Sequence, residues 1–123
     1  MDYIHYGSHT VYEIQYHIVW TTKNFYKILR GKIAERLREL IRQGEVRNIK
    51  TVQESIGKEH VHLWVSCPLN MAPSKLFQYL KERSSKMLQE EFKELRQRYW
   101  GQHLWASGYF CRSVGTITEE TIK

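Results

Sequence analysis

Residues 11–20 alternate between apolar and polar side chains, and this alternation is the strongest constraint on the fold. The apolar positions are Tyr12, Ile14, Tyr16, Ile18 and Trp20. The polar positions between them are Glu13, Gln15 and His17. Because successive side chains of a β-strand point to opposite faces, such a segment can bury one face and leave the other polar. We therefore predict a half-buried strand over residues 11–20.

After this strand the apolar pattern changes to the helical period and then returns to the strand period. A helical stripe predicts a helix that begins after Gly31 and stops at Gly44. The members of this stripe are Ile33, Leu37, Leu40 and Ile41. Two strands, over 46–53 and 59–67, are then predicted to pair as an antiparallel hairpin.

The second half of the chain predicts one long helix and one further strand. Residues 74–99 carry apolar side chains at helical spacing, and Ser74, which follows a proline, is a suitable N-cap. Residues 104–114 are predicted to form the last strand, which Gly115 closes. Thr118 would then cap the first turns of another helix, which the end of the chain cuts off.

The order β-α-β-β-α-β predicts an α+β fold of the ferredoxin-like or RRM-like kind, with both helices on one face of an antiparallel sheet. The other face stays open and suits binding or catalysis. With only seven Gly and two Pro, no linker divides the chain, so we predict a single domain over 1–123. An apolar content of 41% excludes a disordered chain, and no apolar run is long enough to cross a membrane. Two cysteines are too few for a disulfide scaffold, so we expect a cytoplasmic protein.

The charge balance favours a polyanionic partner. Nineteen Lys and Arg against thirteen Asp and Glu give a net charge of +6. Lys and Arg that contact phosphates release condensed counterions, which drives nucleic-acid binding. The alternative is that the excess charge only solvates the surface.

Two basic clusters are candidates for this contact. The first interleaves cations with aromatic residues, which suits unpaired bases; its members are Lys23, Phe25, Tyr26, Lys27 and Arg30. The second could contact the phosphates of a DNA hairpin, although a solvated helix face explains it equally well. Its members are Lys81, Arg83, Ser84, Ser85 and Lys86.

The segment His60-Val61-His62 carries the clearest chemical signal. On a strand the two histidines project from one face with their Cβ atoms roughly 6–7 Å apart, so both imidazoles can reach one divalent ion. His-x-His alone is more often an exposed pair than a metal site, but the open face of a basic sheet strengthens the metal interpretation. Glu59, just before the first histidine, could orient a ligand imidazole, whereas strand alternation places it on the side opposite His60. His17 either borders the site or is an ordinary surface histidine.

Four segments of the chain resemble the single-tyrosine HUH transposases of bacterial insertion sequences, the insertion sequence 200/605 group. His60-Val61-His62 is an HUH motif, in which two histidines flank a bulky hydrophobic residue. The four segments are YHIVWTTK at 16–23, EHVHL at 59–63, YLKERSSK at 79–86 and GYFCRSVG at 108–115. They follow the order of the family and are distributed along nearly the whole chain, from residue 16 to residue 115.

This resemblance implies a DNA transposase that acts on single-stranded DNA with hairpins at the element ends. His60 and His62, with a Gln from a C-terminal helix, would hold a divalent ion, Mg²⁺ or Mn²⁺, at the scissile phosphate. A tyrosine would attack that phosphate and form a 5′-phosphotyrosine intermediate with a free 3′-OH, so that strands can be rejoined without ATP. The family is dimeric, so a homodimer is implied as well.

The expected nucleophile and the expected Gln ligand have no counterpart in these residues. The family places both in a Tyr-x-x-x-Gln stretch on the helix after a Val-Gly pair, which corresponds here to Val114-Gly115. That tyrosine would fall past Lys123, and Tyr109 belongs to the strand segment. We therefore expect residues 1–123 to bind metal and DNA without cleaving DNA.

Two other functions compete with this interpretation. A non-catalytic RRM-like nucleic-acid-binding module would use the same sheet, although no RNP-type Gly-aromatic block is found on the strands that need it. A small metal-dependent hydrolase would need a general base, and the sequence offers none beyond the histidines. Metal dependence separates the transposase from the binding module.

Overall fold

The computed structural model describes the backbone of residues 11–118 and the side chains of residues 13–114. The elements in chain order are β1 (Val11–Thr21), α1 (Gly31–Arg42), β2 (Lys50–Ile56), β3 (His60–Pro68), α2 (Pro73–Glu91), α3 (Lys93–Tyr99) and β4 (Phe110–Thr118). Short 3-10 turns, Lys23–Phe25 and Gln43–Arg47, follow β1 and α1. No helix within residues 11–118 is both long enough and apolar enough for a membrane span.

The four strands form one antiparallel sheet in the order β2-β3-β1-β4, with β3 and β1 in the centre. Apolar side chains of α1, α2 and the two central strands share one core on one face of this sheet. The other face carries mostly half-buried or exposed side chains among the described residues. The predicted ferredoxin-like α+β fold is confirmed.

The central strands bury alternate residues, as their sequences predict. In β1 the buried apolar side chains are Tyr16, Ile18 and Trp20, and in β3 they are Val61, Leu63, Val65 and Cys67. The residues between these positions point to the other face of the sheet, because successive side chains of a strand alternate between the two faces. Ser66 of β3 is buried as well, although it falls between two of these positions. Tyr12, the first predicted apolar position, lies outside the described side chains.

The helix predicted over 74–99 is in fact two helices. Phe92 leaves the helical conformation, with φ −119° and ψ 106°, and separates α2 from α3. Its side chain is partly buried and packs against the core. Ser74 is not the N-cap, because α2 already begins at Pro73 behind Ala72, and the fixed φ of proline suits the first helical position.

The strand predicted over 46–53 begins later, at Lys50. The 3-10 turn Gln43–Arg47 extends the end of α1, and Asn48 follows in the left-handed conformation with φ 62°. An extended chain can begin only after that reversal. The paired segment is therefore displaced towards the β2–β3 turn.

The last strand is also displaced, from the predicted 104–114 to Phe110–Thr118. Leu104 and Trp105 are buried in the core instead, and Trp105 makes only an isolated bridge with Thr22. Gly115 does not close the strand but pairs with Gln15 beyond a bulge. Thr118 still belongs to β4, and the helix predicted to follow it lies outside the described residues.

Candidate metal and nucleic-acid site

The two histidines of the HUH motif lie on β3, one of the two central strands. His60 pairs with Thr21 of β1 and His62 pairs with Val19, while Val61 between them is fully buried. Both imidazoles therefore leave the sheet on its open face, which is the placement that strand geometry predicts. The His60 side chain is 44% exposed, and His62 is exposed.

Glu59 and Gly57 determine the orientation of the His60 ring. The Nδ1 atom of His60 lies 3.2 Å from Oε1 of Glu59. Glu59 precedes β3, so the alternation argument does not apply to it, and the expectation that it points away from His60 is wrong. Its backbone is held by the Thr22 amide, which donates to the Glu59 carbonyl at 2.8 Å. A neutral His60 that donates from Nδ1 keeps the lone pair of Nε2 available for a ligand bond.

Gly57 provides the space in which the His60 ring lies. A Cβ atom at this position would be 2.3 Å from Cε1 and 2.7 Å from Nδ1 of His60. The Gly57 amide donates to the His60 carbonyl at 2.9 Å, which closes the turn between β2 and β3. The glycine therefore allows the ring to fold back over the turn.

His62 is in contact with His17 of the neighbouring strand. Their ring centroids are 5.0 Å apart in an edge-to-face arrangement, and His17 makes a similar contact with Trp64 at 5.5 Å. Desolvation lowers the pKa of His17, and the charges of His62 and Arg112 lower it further. The neutral form of His17 is therefore favoured beside His62. His17, His62, Trp64 and residues of β2 line a depression of about 100 Å³.

The imidazoles of His60 and His62 fit two of the ligand positions around a divalent ion. The two imidazoles share one face, and the orienting carboxylate of Glu59 is the kind of partner that metal-binding histidines use. Within residues 13–114, no three His, Cys, Asp or Glu side chains converge into a complete metal site. Further ligands would have to come from water, from a phosphate or from another segment.

The comparison with protein families decides where this chain belongs. A family model described as "Transposase IS200 like" matches residues 10–123, almost the entire chain. The chain belongs to the IS200-like transposases. The membership expected from the four sequence segments is thereby confirmed.

Individual members of the family resemble this chain in sequence and in fold. The transposase for insertion sequence element IS200 of Salmonella typhimurium is 32% identical over 115 residues, which cover 90% of this chain and 74% of the relative. A crystallised transposase of Deinococcus radiodurans R1 superposes with a TM-score of 0.78 and 25% identity over 89% of this chain and 85% of that one. The REP-associated tyrosine transposase bound to a REP hairpin has a TM-score of 0.58 at 12% identity over 86% and 58% of the two chains, a likeness of fold alone.

The first basic cluster lies on an exposed surface. Lys23 lines a groove of about 540 Å³, and Lys27 and Arg30 line an adjoining groove of about 590 Å³. The two grooves share Tyr26 and Arg98, so we treat them as one surface and call it the basic groove. Its lining includes Lys23, Tyr26, Lys27, Arg30, Arg98 and Trp100.

The second basic cluster does not form one surface. Lys81 shares a groove of about 640 Å³ with Lys23, whereas Lys86 lines a different one. Arg83 donates a hydrogen bond to Gln43 at the end of α1. Only Lys81 is therefore brought next to the first cluster.

Ser84 and Ser85 are buried at 2% and 5% exposure, so the expectation that they contact DNA phosphates does not fit their positions. The Ser84 hydroxyl accepts a hydrogen bond from Nε1 of Trp105 at 2.8 Å and donates to the Leu80 carbonyl. The Ser85 hydroxyl accepts one from the Leu104 amide at 3.3 Å. Both hydroxyls stabilise the segment that follows α3.

Sequence reasoning missed the contributions of Gly57, Arg98 and Trp100. A Gly two residues before an acidic residue and an HUH strand is a usable signal for a tight turn under the first histidine. Trp100-Gly101 at the end of a helical pattern signals a C-cap, but only the structure shows that the indole is exposed beside the loop that follows β1.

Proposed function

We propose that this chain is the metal-binding and DNA-binding part of a transposase that acts on single-stranded DNA. The observation that carries the proposal is the pair His60 and His62 on the open face of a central strand, in a chain of the IS200-like family. A carboxylate that orients one of the two imidazoles supports the metal role.

The proposed site would place a divalent ion between the two imidazoles and a phosphodiester of the DNA. When bound there, Mg²⁺ or Mn²⁺ would act as a Lewis acid on the phosphate, and imidazole ligands favour Mn²⁺. The role of His60 and His62 is to hold the ion, and that of Glu59 is to hold the His60 ring. His17 would keep the wall beside His62 free of positive charge.

Strand cleavage and rejoining through a 5′-phosphotyrosine remain part of the proposal. No Tyr-x-x-x-Gln stretch occurs in the 123 residues, and the nucleophile and the Gln ligand are proposed to lie past Lys123. Residues 1–123 are accordingly proposed to bind metal and DNA without forming a covalent DNA adduct. An adduct formed by these residues alone would contradict this part of the proposal.

Hairpin DNA and a second copy of the chain are the proposed partners. The structural neighbour solved with a REP hairpin supports a hairpin substrate, and the net charge of +6 favours a polyanion. β4 is an edge strand of nine residues with Phe110 and Val114 exposed, so it offers a surface on which two sheets could join.

A manganese titration tests the metal site. Free Mn²⁺ is measured by electron paramagnetic resonance for the wild type, His60→Ala, His62→Ala and the control His103→Ala, which changes an exposed histidine outside the sheet. We expect both β3 variants to lose Mn²⁺ binding while the control retains it. Affinity for a hairpin oligonucleotide should survive in all three variants. Unchanged Mn²⁺ binding in both β3 variants would contradict the proposal.

A metal-independent nucleic-acid-binding module is the second candidate. It is favoured by aromatic side chains on the open face, because Phe110 is 60% exposed and pairs with Val19, the residue that also pairs with His62. Trp64 lies on the same face. This module predicts that single-stranded DNA binding is equal with Mn²⁺ and with a chelator, and that Phe110→Ala weakens it.

A further inference from the structure

The C-terminal end of α3 exposes an indole that the HUH site does not use. Trp100 is 81% exposed, more than any other aromatic side chain among the described residues. A tryptophan ring offers a large apolar face to a partner, and leaving it in water forfeits the free energy of burial. The surface around this ring therefore requires an explanation.

Contacts within the chain hold the backbone of Trp100 and two side chains beside it in place. Trp100 caps α3 in the left-handed conformation, with φ 52°, and its amide donates to the Arg96 carbonyl at 2.8 Å. The Arg98 guanidinium lies 4.5 Å from the centroid of the Tyr26 ring, and Tyr26 also contacts the buried Tyr99. The contacts of Arg98 and Tyr26 reduce the side-chain entropy that these two residues would lose when a ligand binds.

The charge of the basic groove is complementary to a nucleic-acid backbone. Five of its lining residues are cations, and Glu94 is an acidic residue of the same lining. The cations are Lys23, Lys27, Arg30, Lys32 and Arg98. Exposed aromatic rings between cations are the combination with which proteins bind single strands. A duplex has its bases already stacked on one another, so an exposed indole favours unpaired bases.

The basic groove is connected to the HUH strand through backbone hydrogen bonds. The Thr22 amide donates to the Glu59 carbonyl at 2.8 Å, and the Leu29 amide donates to the Lys58 carbonyl at 2.9 Å. Thr21, directly before this loop, pairs with His60. The loop that supplies Lys23 and Tyr26 is thus attached to the turn that precedes His60.

We infer that the basic groove binds the single strand that extends from the HUH site, with Trp100 stacked on one unpaired base. Lys23 and Arg98 would contact the flanking phosphates. The inference rests on the proposed function, because it assigns a path to the same DNA. It adds a base-binding residue outside the HUH motif.

The test measures the affinity of a fluorescent oligothymidylate of about 12 nucleotides by anisotropy, using the 123-residue chain. We expect Trp100→Ala to weaken binding by about ten- to a hundredfold, and Trp100→Phe to retain most of the affinity. Val46→Ala, which also removes an exposed apolar side chain, is the matched control and should bind like the wild type. Circular dichroism checks that all variants are folded.

Two further measurements separate stacking from charge. The wild type should bind a matched oligonucleotide with abasic sites more weakly than the intact oligonucleotide. Trp100→Ala should bind the two oligonucleotides equally well. Arg98→Gln should reduce the slope of log affinity against log salt by about 0.7, while Trp100→Ala leaves that slope unchanged. Lys75→Gln, in the first turn of α2 and outside the lining of the basic groove, is the charge control.

The outcomes distinguish this inference from the proposed function. If the wild type binds the strand and Trp100→Ala binds it equally well, the inference alone is overturned. If Trp100→Ala converts a dimer to a monomer in sedimentation while affinity for the strand is unchanged, Trp100 belongs to a contact between copies, and the inference is overturned as well. If the wild type binds no single strand, the proposed function fails with it.

Discussion

Replacement of Gly57 by alanine should damage the metal site while leaving the fold intact. The new Cβ would lie 2.3 Å from Cε1 of His60, whereas ordinary carbon contacts lie at about 3.5–4.0 Å. The imidazole must therefore move by about 1 Å or more. Such a movement breaks the 3.2 Å contact between Nδ1 and Glu59 and reorients the ring that carries Nε2.

The expected loss can be estimated from the kind of contact that breaks. Changes to the groups that orient metal ligands typically cost about 10- to 100-fold in metal affinity, or about 1.4–2.8 kcal/mol. Global stability should change by less than about 1 kcal/mol, because His60 is half-exposed and free to rotate away. Gly57 is not in the left-handed region, so an alanine backbone is tolerated there.

Isothermal titration with Mn²⁺ gives the affinity, and thermal unfolding monitors stability. The same substitution in a His60→Ala background is the control, because the ring that the methyl group displaces is then absent. In that background Gly57→Ala should have no further effect on residual Mn²⁺ binding. Equal Mn²⁺ affinities for wild type and Gly57→Ala would refute the reasoning, as would an equal loss in both backgrounds.

Two further predictions concern stability. Trp105→Phe removes the donor to Ser84 and leaves a gap beside Trp20, so chemical denaturation should show a loss of about 1–3 kcal/mol; a loss below about 0.5 kcal/mol would show that the hydrogen bond is dispensable. The pKa of His17 is lowered in the folded state, so the unfolded chain takes up more protons as the pH falls through 6.5, and stability should decline below that pH. His17→Gln should flatten this decline in denaturation curves, and an NMR titration that gives His17 a pKa at or above 6.5 would contradict the assignment.

The periodicity of the sequence was sufficient to predict the fold class and the placement of both HUH histidines. Val61 and the other alternate residues of β3 are apolar, and a period of two leaves no freedom over which face His60 and His62 occupy. Family membership followed from four segments in order. These features depend on local pattern, which is why they can be inferred without coordinates.

Element ends and the roles of individual polar residues could not be inferred in this way. The sequence pattern predicts a strand that begins at Glu59, and alternation then places Glu59 opposite His60. In the structure β3 begins at His60, so alternation does not govern Glu59. Ser84 and Ser85 have the composition of a phosphate-binding helix face, but the segment with Leu104 and Trp105 folds over them. That segment is distant in the sequence, and no local pattern reports its contact with α2.

By itself, the sequence determined that this chain forms a one-sided antiparallel sheet with two imidazoles on its open face, because hydrophobic periodicity commits each side chain to a face. Only the tertiary structure decided which surface residues are available to a ligand. It buried two serines, turned a carboxylate towards His60 and exposed Trp100 beside the loop that leaves β1. The physical reason is that exposure depends on which distant segments pack together, and that packing is a property of the whole chain.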